Sequence, residues 1–157
     1  PAAVLVGEPS ELFGREVENE IAKSNNQTKS AEQLVGDLYA GIVSFQTLPV
    51  LAALKMLFNN NQNLEVLKKS AQFNNVLESS YKKSGRINDL AALKLNQNNP
   101  QHIKEFVKSI LTQYLRMKEP QAAHIAVDLV NLVNRSSDEK LKPWAYYDMA
   151  SGEYKWL

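Results

Sequence analysis

Asn75-Val-Leu-Glu-Ser-Ser-Tyr-Lys-Lys-Ser-Gly-Arg-Ile-Asn-Asp-Leu-Ala-Ala-Leu93 reads as one antiparallel helical hairpin. A first helix ends at Gly85 and a second amphipathic segment follows at once, the unit from which helical solenoids are stacked. Gly85 and the alanines allow the two helices to approach closely. Such architectures serve more often as binding surfaces than as catalysts.

Working outward, the polar breaks are rich in asparagine and glutamine. Asn25-Asn-Gln27, Asn59-Asn-Asn-Gln-Asn63, Asn96-Gln-Asn-Asn99 and Asn134-Arg-Ser-Ser137 start 34, 37 and 38 residues apart, near the period of roughly 34 residues expected of a helix pair with its loops. Asparagine competes for backbone hydrogen bonds and tolerates left-handed geometry, so these clusters punctuate helices well.

Between the breaks the helical period dominates. Ile103, Phe106, Val107, Ile110, Leu111 and Tyr114 form one apolar face, with Pro100 near that helix's first turn. Ala122, Ile125, Ala126, Leu129 and Val133 repeat the pattern after Pro120, giving a second hairpin closed near Lys118. Upstream, Ser30 with Gln33 predicts a capping box opening a helix to about Phe45, and Pro49 restarts another to about Phe58. Ser10 to Lys23 suggests an opening helix. No run alternates long enough to predict a strand. The expected class is all-α: one domain over 1–157, with an N-terminal extension and helix (1–29), helical hairpins (30–134) and an aromatic C-terminal cap (135–157), stacked as a short right-handed α-solenoid or a compact helical bundle.

The chain of 157 residues is 44% hydrophobic, enough for a substantial core. It has no cysteine, which excludes a disulfide framework and a thiolate zinc site and fits a reducing compartment. The apolar run Ala2-Ala-Val-Leu-Val6 is too short to span a bilayer, so no membrane partner is expected, and the expected location is intracellular, in cytoplasm or an organellar matrix.

The net charge of +1 is unevenly spread. Residues 1–53 carry three basic and seven acidic side chains, 54–118 eleven and four, and 119–157 four and six. A basic middle attracts a polyanion such as RNA or an acidic protein surface, and the candidate face is Lys68, Lys69, Lys82, Lys83, Arg86, Lys104 and Lys108. Lys82, Lys83 and Arg86 also flank a helix C-terminus, where the helix dipole favours cations whatever the function.

The last seventeen residues, from Leu141, gather both tryptophans and three of six tyrosines. Trp144, Tyr146, Tyr147 and Trp156 read either as a docking or base-stacking surface or as part of a terminal helix and tail that cover the end of the stack, the reading we favour.

The stretch from Tyr81 to Leu93 resembles the pentatricopeptide repeat, whose first helix commonly ends in a Tyr-x-Lys-x-Gly-Arg-like turn before an alanine-bearing second helix. A weaker copy starts at Tyr114, 33 residues on, and tetratricopeptide repeats fit nearly as well. The resemblance implies stacked hairpins and, for the pentatricopeptide family, RNA read by side chains of the first helices. At the expected base-reading positions this chain has Val76, which cannot hydrogen-bond a base, and Ser109.

Little points to chemistry. His124 and Asp128 lie four apart on a predicted helix, a spacing that fits a proton-transfer pair but is far more commonly that of a surface hydrogen bond. His102 and His124 share no helix turn and lack further ligands, so no metal or other cofactor is expected. Glu16, Glu18 and Glu20 alternate along a helix and do not converge. A glycine-rich phosphate loop, a nucleophile elbow and a cysteine nucleophile are absent. The expectation is a non-catalytic protein-interaction scaffold or adaptor taking a protein partner or acidic peptide, in a larger assembly or alone, with RNA binding as the alternative.

Overall fold

The computed structural model describes residues 14–95 and 99–157; Ser10 and the apolar run 2–6 lie outside them. The described chain is mostly helical: α1 (Arg15–Lys23), a 3-10 turn (Asn26–Thr28), α2 (Ala31–Val43), α3 (Thr47–Phe58), α4 (Asn61–Lys68), α5 (Ala71–Lys83), α6 (Ile87–Leu95), α7 (Pro100–Ser109) with a π-helical turn (Ile110–Tyr114), and α8 (Glu119–Ser136). Two short strands follow, β1 (Ala145–Asp148) and β2 (Glu153–Trp156).

The polar breaks act through capping. The Ser30 hydroxyl accepts from the Gln33 amide at 3.2 Å while the Gln33 side chain accepts from the Ser30 amide at 2.8 Å, the reciprocal box that opens α2. Asn60 Oδ1 accepts from the amides of Gln62 and Asn63 to open α4, and Asn99 Oδ1 from that of Gln101 to open α7. Asn25 adopts a left-handed φ of 55° ahead of the 3-10 turn. Asn134, read as a break, lies inside α8, which runs on to Ser136.

Helix α3 is the centre. Its run Val50-Leu-Ala-Ala-Leu54, with Leu57 and Phe58, is fully buried, as a helix that is apolar around most of its girth must be. It packs against α1, α2, α4 and α8, and its one cation, Lys55, pairs with Glu18 of α1. α5 packs on α6 and α7, with the rings of Phe73 and Phe106 4.6 Å apart between α5 and α7. Asn61 donates to the carbonyl of Ser136 at 2.8 Å, tying the start of α4 to the end of α8.

The C-terminal segment corrects the sequence reading. Instead of a terminal helix it forms an antiparallel hairpin, with Ala145 opposite Trp156, Tyr146 opposite Lys155, Tyr147 opposite Tyr154 and Asp148 opposite Glu153. Asp148 makes the turn: its carboxylate accepts from the Ala150 amide and the Ser151 hydroxyl, its carbonyl from the Gly152 amide at 2.8 Å, and Gly152 takes φ +71°. Lys155 pairs with the same carboxylate at 2.9 Å, and hydrogen bonds from Lys155 and the Ala150 amide hold the Asp148 acid down at about 2. Both strands pack on α8, which is why Ala123 and Val127 are buried beside Ala145 as well as the face the sequence predicts.

Candidate functional site

The turn after α5 positions the first charge. Gly85 takes φ +71°, the amide of Arg86 donates to the Tyr81 carbonyl at 2.8 Å and that of Gly85 to Lys82, a paired C-terminal closure in which glycine supplies the left-handed residue. The chain thereby folds Arg86 back, with its guanidinium 4.9 Å from the centre of the Tyr81 ring. Arg86 also donates to the Ser84 hydroxyl at 2.8 Å and pairs with Glu105 of α7. Ser80 donates to the same carboxylate at 2.6 Å. Burial pushes the Glu105 acid up, but the hydrogen bonds from Ser80 and Arg86 together with the Arg86 charge outweigh it, so the acid lies below its ordinary value.

Below Arg86, Tyr81 of α5 and His102 of α7 are both buried, with the tyrosine hydroxyl 2.7 Å from His102 Nδ1. Burial, and then the charge of Glu105, raise the Tyr81 phenol to about 12, while burial lowers the imidazole against the opposing pull of Asp89. The pair is therefore neutral near neutral pH. A protonated tyrosine donating to Nδ1 leaves the proton of the neutral imidazole on Nε2. That nitrogen is buried and has no hydrogen-bond partner among the described residues, a condition that costs about 1–3 kcal/mol.

Lys104 and Lys108 stand one turn apart on α7 and lead to the hairpin. Lys104 donates to the Leu157 carbonyl at 2.8 Å, and the Lys108 ammonium lies 5.4 Å from the centre of the Trp156 ring. Burial, and then repulsion from Lys108, lower Lys104. Arg86, Lys104 and Lys108 line a pocket of about 440 Å³, together with Tyr81, His102 and Glu105, and with Asp89, Asn99 and Gln101 contributing further polar groups.

The predicted basic face is thus divided. Arg86, Lys104 and Lys108 converge on the pocket, whereas Lys68 is buried and pairs with Glu65 at 2.5 Å. Lys69, Lys82 and Lys83 are exposed outside the pocket lining, and Lys82 pairs with Glu78 at 3.2 Å. The aromatic set divides as well. Trp144 is a core residue, Tyr146 and Tyr147 are half-buried, and Trp156 meets Lys108. Sequence reasoning missed the Tyr81–His102 pair and the role of Glu105; the only signal for them was a polar residue on each apolar helix face. Val76 and Ser109 are both buried.

His124 stacks on Tyr154 with centroids 4.1 Å apart and planes 5° from parallel, so this imidazole takes part in holding β2 on α8. Burial first, and then the charge of Asp128, raise the Tyr154 phenol. Among the described residues no group of three His, Cys, Asp or Glu is placed to hold a metal ion, and no helix is long and apolar enough to cross a membrane.

No protein-family model matches the chain, and no curated protein and no solved structure does so either.

Proposed function

We propose that the chain is a non-catalytic protein-interaction module whose helical hairpins close into a compact bundle and which takes an acidic protein segment at the corner between the α5 turn, α7 and the hairpin. The observation that carries this reading is the convergence of Arg86, Lys104 and Lys108 on one 440 Å³ pocket, with the half-buried Trp156 beside Lys108. An aromatic edge next to clustered cations suits an acidic peptide, whose carboxylates meet the ammonium groups while its apolar atoms cover the ring. The packing of α5 on α7, the first helices of the two predicted hairpins, supports the resemblance to pentatricopeptide and tetratricopeptide repeats; the contact of α3 with α8 favours a closed bundle over an open array in which each repeat touches only its neighbours.

RNA binding is the second reading, favoured by the eleven basic against four acidic residues in 54–118 and by the exposure of Lys69, Lys82 and Lys83. Ion pairs at Lys68 and Lys82 weigh against it, because each already has a carboxylate partner and neither lines the pocket. Anisotropy titrations decide between the two. A labelled glutamate-rich peptide should bind saturably and lose binding with Lys104→Gln/Lys108→Gln. Binding of a mixed-sequence single-stranded RNA instead, weakening steeply with salt, transfers the assignment to nucleic acid. Failure of both probes removes the binding-module reading at this corner.

A further inference from the structure

We propose that the pocket beneath Arg86, Lys104 and Lys108 is a phosphoryl site, and that the acidic segment taken at this corner presents a phosphoserine or phosphothreonine to it. The inference rests on the preceding reading and names the group that the segment presents.

Size is the first argument. A pocket of about 440 Å³ with a largely polar lining exceeds what a lone carboxylate occupies. Charge is the second. Lys104 and Lys108 are four residues apart on one helix, a spacing at which like charges repel. Glu105, the carboxylate of α7 that lies between them in sequence, is committed to Ser80 and Arg86. A dianion placed against the two ammonium groups relieves that repulsion more fully than a monoanion does. Asp89 of α6 and Glu105 of α7 both line the pocket, Glu105 with its charge offset by Arg86, so the place for the phosphoryl group is beside Lys104 and Lys108.

The third argument is an unmet polar atom. His102 is only 3% exposed, lines the pocket, and has an Nε2 without a partner among the described residues. In the tautomer in which Tyr81 donates to Nδ1, 2.7 Å away, Nε2 carries the imidazole proton and needs an acceptor. A phosphoryl group brings three strong acceptor oxygens, one more than a carboxylate.

The test uses the full chain and two labelled peptides of one acidic sequence that differ at a single position, glutamate in one and phosphoserine in the other. The phosphopeptide should bind about tenfold more tightly, the step expected when a dianion makes additional charge-assisted hydrogen bonds. Inorganic phosphate should compete with it, and its ³¹P resonance should shift on binding. Lys104→Gln/Lys108→Gln, at half-exposed positions, should abolish the preference, and Lys69→Gln/Lys83→Gln, outside the pocket, should leave it intact. Equal binding of the two peptides overturns the phosphoryl site and leaves the acidic-segment reading standing. Binding of neither overturns both. Displacement of the phosphopeptide by single-stranded RNA at lower concentration than by inorganic phosphate assigns the pocket to nucleic acid and overturns the proposal.

Discussion

The Tyr81 hydroxyl lies 2.7 Å from His102 Nδ1 in a buried contact between α5 and α7, and the two groups are shifted in opposite directions. His102 lies below its ordinary 6.5 through burial, opposed by Asp89, and Tyr81 is raised from 10.0 to about 12. As pH falls through 6.5 the unfolded chain takes up the imidazole proton before the folded chain does, so stability falls. As pH rises past 10.0 the unfolded phenol loses its proton first, and stability falls again. Urea midpoints measured from about pH 5 to about pH 8 should therefore decline toward the acid side, and His102→Phe should decline less. Parallel profiles for the two proteins would show that this imidazole does not contribute.

Two glycines of α2 should respond oppositely to alanine. A Cβ at Gly36 meets nothing within 4 Å, and the position is exposed inside a helix, so Gly36→Ala should stabilise by about 1 kcal/mol. At Gly41 the added carbon would stand 2.8 Å from Cγ2 of Val50, a fully buried side chain at the start of α3. Gly41→Ala should destabilise by about 1–3 kcal/mol, because α2 must move away from α3. Thermal unfolding of both variants checks the contrast, and equal shifts of one sign would refute it.

How far the sequence speaks follows from the range of the interactions. Ser30 with Gln33, Pro100 and the apolar face from Ile103 to Leu111 act within a turn or two, and each helix they announce is present. The hairpin was hidden because its strands have four residues each, too few for alternation to register, and because its packing on the preceding helix α8 is a tertiary contact that no local pattern announces. The π-helical turn was hidden too: the Leu115 amide reaches back to the Ile110 carbonyl and Arg116 takes φ 56° with no glycine to mark the spot. Of the site, clustered lysines and arginine were legible as charge. Which of them converge depends on α5 meeting α7, a tertiary contact that sets Arg86 onto Glu105, while the burial of Lys68 on α4 depends on other packing.

Arg86→Ala should change the titration of a residue on another helix. Burial is the largest influence on Glu105 and pushes its acid up; Ser80 and Arg86 reverse it. Without the guanidinium only the Ser80 bond and the charge of Lys108 oppose burial, so the Glu105 acid should rise. The stability that this carboxylate confers above its unfolded pKa, and which is lost as pH falls through its folded pKa, should shrink accordingly. Carboxyl ¹³C titration of Glu105 in the two proteins measures the shift directly, and an unchanged titration would assign the depression to the Ser80 bond and the Lys108 charge without Arg86.

The hairpin should tune the pocket from outside it. Tyr154 stacks on His124 of α8 and meets Tyr147 of β1 edge-on at 5.2 Å, so Tyr154→Ala removes one ring contact that holds β2 against α8 and one that joins it to β1, each worth about 0.5–1.5 kcal/mol. Neither ring lines the pocket, yet the strand they anchor carries Trp156 under Lys108 and leads into the Leu157 carbonyl that receives Lys104. Loosening β2 therefore frees both ammonium groups to wander, and the order lost must be recovered on binding. Tyr154→Ala should speed amide exchange across 145–157 while α3 stays protected, and should weaken binding of a glutamate-rich peptide several-fold without altering any pocket residue. Faster exchange in the hairpin with unchanged peptide affinity would show that Lys104 and Lys108 keep their positions without β2.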